Sequence, residues 1–134
     1  MPAFADTAIT NSARWTGRIL SGIVIAFLLF DGAIKLLPLP IVTETMDKMG
    51  WGASDNLARG LGLITIVCTL LYALPPTSIL GAILLTGYLG GATATQVRVQ
   101  DAWFIFPPIL GALIWAGLYF RDERLRTLIP LNRQ

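Results

Sequence analysis

The chain has 134 residues, of which 54% are hydrophobic, while its 10 basic and 8 acidic residues make up only 13%. Soluble domains carry about 25% charged residues, and a small domain has much surface to cover, so the composition excludes an ordinary cytosolic enzyme, a disordered protein and a disulfide-rich secreted domain. It indicates a membrane protein, and a net charge of +2 without a basic run argues against nucleic acid as a partner.

Four apolar stretches predict four membrane-spanning helices. They cover residues 19–37, 57–74, 79–97 and 103–120. Each is about 27–29 Å long as a helix, which is close to the thickness of the hydrocarbon layer. Since the helices of a soluble bundle carry a polar stripe that these stretches mostly lack, we predict an all-α integral membrane four-helix bundle, with residues 1–134 as a single transmembrane domain.

The connections predict an up-down bundle with a short interfacial helix between spans one and two. Pro75 and Pro76 indicate a tight hairpin between spans two and three, and the equally short connection between spans three and four makes those spans antiparallel. In the longer segment 38–56, Pro40 can start a helix and Gly50 can end it. An apolar face on that helix predicts that it rests on the bundle, with a plain loop as the alternative.

The distribution of basic residues predicts cytoplasmic termini. Six arginines lie on the side of the two termini, and four basic residues lie on the other side. Because an excess of Lys and Arg marks the cytoplasmic side of a membrane protein, the interface opposite the termini is expected to face away from the cytoplasm.

Polar residues within and beside the spans gather at the interface opposite the termini. Asp31 lies about 9 Å inside the end of span one, and a carboxylate at that depth needs a partner. Lys35 follows one helical turn later on the same face, and Arg59 and Arg98 can approach Asp31 from neighbouring spans. Gln96, beside Arg98, is a further candidate for a ligand contact.

This cluster predicts a pocket for an anionic or carbonyl-bearing small molecule. Its candidate ligand-binding residues are Asp31, Lys35, Arg59, Gln96 and Arg98. The alternative is a network that only locks the bundle, in which Lys35 and Arg59 extend their charges towards the membrane surface.

Two residue types limit the chemistry of the chain. The sequence has no histidine and a single cysteine, Cys68, which excludes His-ligated haem, His-containing zinc sites, a His general base and an intramolecular disulfide. No metal site and no resident cofactor are expected, and Cys68 is interpreted as a packing residue. No catalytic residue is identified, and whether the chain is itself an enzyme is left open.

Span three carries small residues at helical spacing. Gly87 and Gly91 form a G-x-x-x-G pattern, with Gly90 beside it, and such a surface lets another helix approach closely. We expect packing within the chain, with a homo-oligomer contact as the alternative. Tyr88 is expected in the core, and the Pro107–Pro108 pair is expected to bend span four.

Three segments resemble the DoxX-like family. They are LFDGAIKLL at 29–37, GAILLTGYLGGATAT at 81–95 and LYFRDERLR at 118–126. The resemblance extends from about residue 14 to residue 130, and it implies a small four-helix protein of the bacterial inner membrane. The family takes its name from a subunit of a thiosulfate:quinone oxidoreductase, and other relatives are linked to oxidative or quinone stress. Many relatives have a histidine where this chain has Gln96.

The resemblance implies a membrane subunit of a redox or stress-related system that binds a quinone or another apolar small molecule. The sequence offers no haem ligand, flavin motif or thiol pair, so a soluble or membrane oxidoreductase partner must supply the electrons. Two alternatives fit the same residues. One is a non-enzymatic membrane scaffold that recruits a soluble partner, and the other is a small transporter with Asp31 as its proton site.

Overall fold

A computed structural model describes residues 10–37, 39–52 and 54–129, and these residues form helices without any strand. The helices are α1 (Asn11–Leu36), α2 (Pro40–Lys48), α3 (Asp55–Ala73), α4 (Ser78–Arg98), α5 (Phe106–Arg121) and α6 (Glu123–Arg126), with 3₁₀ turns at Pro75–Thr77 and Ala102–Ile105. The predicted domain, residues 1–134, also includes the ends 1–9 and 130–134, which lie outside the described residues.

The predicted four-helix membrane fold is confirmed. α1, α3, α4 with the 3₁₀ turn before it, and α5 with the 3₁₀ turn before it are each long and apolar enough to cross a membrane, so the protein is a multi-pass integral membrane protein. The short α2 lies between the first and second spans, as expected, and buries Val42 and Met46 against Ala58 of α3. This contact fixes α2 on the bundle.

The helix ends follow local capping more than hydropathy. α1 begins eight residues before its apolar stretch, at a cap where the Thr10 hydroxyl accepts a hydrogen bond from the Ala13 N–H at 3.1 Å. Likewise the Ser54 hydroxyl accepts from the Leu57 N–H at 3.2 Å and starts α3. Both side chains satisfy N–H groups that the first helical turn leaves without a partner.

The expectation that Pro107 and Pro108 bend the fourth span is wrong. The two prolines lie in the first turn of α5, which starts at Phe106 after the 3₁₀ turn. Proline is tolerated there because the N–H groups of the first turn have no partner within the helix. The prolines therefore set where the helix begins.

The four long helices form a ring in which neighbours in sequence are neighbours in space. α1 packs against α3 and α5, and α4 packs against the same two helices, so α1 and α4 lie on opposite sides of the bundle. The core between them buries Val24, Leu28, Leu85, Ile114 and Leu118. This is the predicted up-down order.

Glycine pairs bring α1 into backbone contact with both of its neighbours. A β-carbon at Gly62 of α3 would lie 2.7 Å from the Gly32 carbonyl oxygen, and one at Gly17 would lie 2.7 Å from the Gly117 carbonyl oxygen of α5. Contacts this short exclude any larger side chain unless the helices separate. Close helix approach through small residues is a main source of attraction between helices in lipid.

Tyr72 of α3 joins three helices in the half of the bundle near the termini. Its side chain is fully buried. Its hydroxyl donates to the Ile114 carbonyl oxygen at 2.6 Å and lies 3.0 Å from the Ser21 hydroxyl of α1. The buried phenol is thus fully hydrogen-bonded, as a tyrosine in an apolar interior needs to be.

Candidate ligand site

The candidate site is centred on Lys35, in the last turn of α1. Its ammonium nitrogen Nζ donates to Asp31 Oδ2 at 2.8 Å and to the Tyr88 hydroxyl at 3.0 Å. The side chains of Lys35 and Asp31 are only 20% and 28% exposed. The predicted pairing of Asp31 with Lys35 is therefore present, and Tyr88 of α4 adds a partner from across the bundle.

The Lys35 side chain points back into the bundle. Asp31 lies one turn earlier on α1, and Tyr88 lies ten residues before the end of α4, so both partners are deeper than the backbone of Lys35. Helical side chains lean towards the N-terminus of their helix, which allows this reach. The charge is held inside the span, and the alternative in which Lys35 extends it to the membrane surface does not match this geometry.

The ammonium of Lys35 retains capacity for a ligand. An ammonium group carries three N–H donors, and Asp31 and Tyr88 accept two of them. A charged donor in a medium of low polarity makes a stronger hydrogen bond than a neutral donor. Lys35 can therefore donate its third hydrogen to the oxygen of a bound molecule.

Gln96, eight residues after Tyr88 on α4, carries a buried acceptor. Its carbonyl oxygen Oε1 is buried and has no hydrogen-bond donor among residues 10–37, 39–52 and 54–129. Gln96 shares a helical face with the core residues Leu85 and Leu89, because it follows them by 11 and 7 positions. A buried polar atom without a partner is destabilising, so a ligand that donates a hydrogen bond there would be bound favourably.

Arg98 lies elsewhere and has a different partner. It donates from Nη2 to the Met49 carbonyl oxygen at 2.7 Å, and it packs beside Gly50, whose φ of +89° ends α2. The structure thus places Arg98 against the segment between α2 and α3, and Asp31 pairs with Lys35 instead. Its role is to hold that segment over the end of α4.

Arg59 is exposed on α3. Across the described part of the chain its side chain forms no hydrogen bond or ion pair. Its position agrees with the alternative in which the guanidinium extends towards the membrane surface. The structure therefore brings together Asp31, Lys35 and Tyr88 but not the two arginines.

A groove between α4 and α5 opens on the lipid-facing side of the bundle. Its volume is about 490 Å³. The lining residues are mostly small or apolar: Thr86, Leu89, Gly90, Thr93, Ala94, Pro107, Pro108, Gly111, Ala112 and Trp115. At one end, the Trp115 indole N–H donates to the Thr86 hydroxyl at 2.7 Å and links the two helices.

The expected packing of the G-x-x-x-G surface within the chain is wrong. Among the described residues, no atom of another helix lies within 4 Å of a β-carbon placed at Gly87, Gly90 or Gly91. α4 contacts its neighbours through another face, which carries Ala82 and Leu85. The glycines therefore face outwards, and Gly90 forms part of the groove.

A family model described as the DoxX-like family matches residues 19–117. The chain belongs to the DoxX-like family. The match includes Asp31, Lys35, Tyr88 and Gln96, so the residues around Lys35 and the buried Gln96 oxygen lie within the family region. No curated protein and no solved structure matches this DoxX-like protein significantly.

Tyr88 and Trp115 are the site residues that sequence reasoning missed in this DoxX-like protein. Tyr88 is partly buried and packs against the core, as expected, but its hydroxyl also binds Lys35. The available signal was a phenol in an uncharged span, since a buried hydroxyl needs a hydrogen-bond partner. Trp115 carried the same signal through its indole N–H.

Proposed function

We propose that this DoxX-like protein is the membrane subunit of a redox or stress-related system and binds a quinone or a related apolar carbonyl compound. The observation that carries the proposal is the Lys35 ammonium, which Asp31 and Tyr88 hold inside the bundle. A carbonyl oxygen is a natural acceptor for its remaining N–H. The resemblance to a family named after a subunit of a thiosulfate:quinone oxidoreductase supports the same ligand class.

The residues present suit both redox states of such a ligand. When a quinone is reduced, negative charge develops on its oxygen atoms, and a fixed ammonium group stabilises that charge. The product, a quinol, carries hydroxyl groups, and a hydroxyl is the type of donor that the Gln96 oxygen lacks. We therefore assign charge stabilisation to Lys35 and recognition of the reduced form to Gln96.

The electrons must come from outside the chain. Conversion of a quinone to a quinol takes up two electrons and two protons, and the sequence contains no histidine and one cysteine. We propose a soluble or membrane-bound oxidoreductase as the electron donor. The chain would then bind and orient the quinone head group.

The groove between α4 and α5 is proposed to hold the apolar tail of the ligand. Its lining on α4 is Thr86, Leu89, Gly90, Thr93 and Ala94, two of which lie within two residues of Tyr88 along the helix. Its volume of about 490 Å³ lies in the usual range of small-molecule sites. An apolar chain placed there would cover the outward-facing Gly90.

We propose that the protein lies in the bacterial inner membrane with both termini in the cytoplasm. The six arginines on the side of the termini support this orientation. The Lys35 site then lies near the periplasmic surface. Labelling of single cysteines introduced at Lys48 and at Arg126 in intact cells would check the orientation, after replacement of Cys68 by serine.

Binding of a short-tailed ubiquinone analogue to the protein in lipid nanodiscs tests the proposal. We expect saturable binding by the wild type and a loss of affinity of roughly tenfold or more in Lys35→Met, since a charge-assisted hydrogen bond contributes about 1.5–3 kcal/mol. Lys48→Met is the matched control, because Lys48 is exposed on α2 and its removal changes the net charge equally.

Tyr88→Phe separates the site from general packing. It removes one partner of Lys35 and keeps the ring, so we expect weaker binding with an intact fold. If Lys35→Met and the wild type bind the analogue equally while both remain folded, the assignment of the quinone to Lys35 is wrong.

The scaffold function remains a second candidate because α2 and its flanks expose apolar side chains outside the spans. Leu39, Ile41 and Trp51 are 47%, 65% and 53% exposed. Purification in gentle detergent distinguishes the two functions. A soluble oxidoreductase that co-purifies without extractable quinone, and is lost in Ile41→Ser, would favour the scaffold.

A further inference from the structure

A second cavity lies at the opposite end of the bundle, near the termini. Its volume is about 590 Å³. The lining comes from the starts of α1, α4 and α6, the ends of α3 and α5 and the turns after them: Arg14, Arg18, Ala73, Pro75, Ser78, Arg121, Asp122, Glu123 and Arg124. Four arginines in one cavity exceed its two carboxylates.

Two of the four arginines are paired inside the cavity. Arg124 Nη2 lies 2.8 Å from Asp122 Oδ2, and Arg14 Nη2 lies 3.6 Å from Glu123 Oε1. Within residues 10–37, 39–52 and 54–129, no carboxylate lies within ion-pair distance of Arg18 or Arg121. The cavity therefore has a positive charge that its described carboxylates do not neutralise.

Arg121 is held in place and still lacks an acceptor. Its Nη2 donates to the Tyr72 carbonyl oxygen at 2.7 Å, and its guanidinium carbon lies 4.8 Å from the centre of the Tyr72 ring. Another nitrogen of the same guanidinium, Nε, is buried and has no acceptor in the described part of the chain. A buried guanidinium N–H without an acceptor is costly, and an anionic oxygen would satisfy it.

We propose that this cavity binds a phosphate group. Guanidinium groups bind phosphate oxygens through strong, directional hydrogen bonds, and Arg121 and Arg18 are the two groups in the cavity with charge to offer. Arg121 is already oriented by Tyr72, so little conformational entropy is lost when it binds. Arg14 and Arg124 add positive potential around the same space.

The position of the cavity at the membrane surface points to an anionic phospholipid as the source of the phosphate. The cavity lies at the ends of spans that carry Trp15 and Tyr119, and such aromatic residues mark the level of lipid head groups. Ala73 and Pro75 give the cavity an apolar wall on which acyl or glycerol carbons can rest. A free phosphate or a soluble phosphorylated molecule presents the same oxygens.

Native mass spectrometry of the full-length protein in detergent, titrated with phosphatidylglycerol or with phosphatidylcholine, tests the proposal. We expect one phosphatidylglycerol to be retained in preference to phosphatidylcholine. Arg18→Gln should weaken that retention about fivefold, because one basic residue near an anionic surface contributes about that factor. The matched control is Arg59→Gln, which removes an exposed arginine at the opposite interface and should leave retention unchanged.

Arg121→Lys tests the central group, since lysine keeps the charge and lacks Nε. A thermal melt of each variant monitors folding. If Arg121→Lys unfolds because Tyr72 loses its partner, the retention measured with Arg18→Gln decides whether the cavity binds the phosphate group. Competition by inorganic phosphate would assign the site to a soluble phosphate-bearing ligand, and retention without competition would assign it to lipid. Equal retention of phosphatidylglycerol and phosphatidylcholine, together with no phosphate binding, overturns the proposal.

Discussion

Glycines lie where α1 contacts its neighbours and also along the groove between α4 and α5. Only at the contacts of α1 do they bring helix backbones together. Gly32 and Gly62 leave no room for a side chain, whereas Gly90 and Gly111 have open space around them. All four lie in apolar spans. The comparison shows that a small residue in a membrane helix promotes packing only when it lies on the face that meets another helix.

Substitution of one glycine at the contacts of α1 and one in the groove should give the two regions' largest difference in the free energy of unfolding. In Gly62→Leu, the new side chain meets the backbone of Gly32 and Leu36, and we expect a loss of about 3 kcal/mol or more, the upper end of overpacking effects. Gly90→Leu, in the groove, meets nothing in the described bundle, and its effect should stay within about 1 kcal/mol because helix propensity is the main change. Thermal unfolding in detergent, followed by circular dichroism, measures both.

Removal of one hydrogen-bonding group from each region should give a smaller difference in the free energy of unfolding. Tyr72→Phe deletes the hydroxyl that binds Ile114 and Ser21, and it should cost about 1–3 kcal/mol because buried partners lose their hydrogen bonds. Trp115→Phe deletes the exposed link to Thr86 and keeps an aromatic ring against the core, and it should cost about 1 kcal/mol or less. Equal losses in the two variants would show that the groove is packed as tightly as the contacts of α1.

Filling of the groove should affect binding rather than folding. Ala112 is exposed and lines the groove, so Ala112→Leu should weaken binding of the quinone analogue about tenfold or more through steric exclusion of its tail. Ala26→Leu on the exposed side of α1 is the control, and it should bind the analogue as the wild type does. Unchanged affinity in Ala112→Leu would place the tail outside the groove.

The smallest expected effect is a pH-dependent one at α6. The carboxylate of Asp122 accepts hydrogen bonds from the backbone N–H and the guanidinium of Arg124. Burial alone would raise the pKa of Asp122, but these hydrogen bonds outweigh it and hold the pKa below its ordinary value of 3.8. Since the folded pKa is lowered, the stabilisation is complete above the unfolded pKa and disappears as the pH falls through the folded pKa.

Asp122→Asn should therefore lower the unfolding temperature slightly at neutral pH. The difference from the wild type should shrink as the pH falls below about 4, the ordinary range of an aspartate. Unfolding temperatures of both proteins at neutral and acidic pH measure this change. A difference that stays constant over that range would mean that the Asp122 charge does not stabilise α6.

Hydropathy was enough to predict the four spans and their order, because the bilayer requires long apolar stretches and short connections require antiparallel neighbours. The pairing of Asp31 with Lys35 was also predictable, since residues four apart on a helix lie side by side. Both features depend on local sequence alone. They account for the fold and for the centre of the candidate site.

The rotation of α4 about its axis was not predictable from the residues alone. Lipid and protein interior are both apolar, so α4 has no polar face to show which side meets its neighbours. The contact of Tyr88 with Lys35 and the outward position of Gly87 both depend on that rotation. The binding of Arg98 to the Met49 carbonyl oxygen was missed for another reason, because any backbone carbonyl group within reach can accept from an arginine.

The sideways opening of the groove between α4 and α5 has a consequence for how the site is filled. A molecule that enters there dissolves first in the acyl layer, so its partition between water and membrane sets the concentration that the groove meets. Compounds with the same head group should then differ in apparent potency according to tail length, even when each makes the same contacts with the protein. Dose–response curves plotted against the membrane mole fraction should therefore coincide.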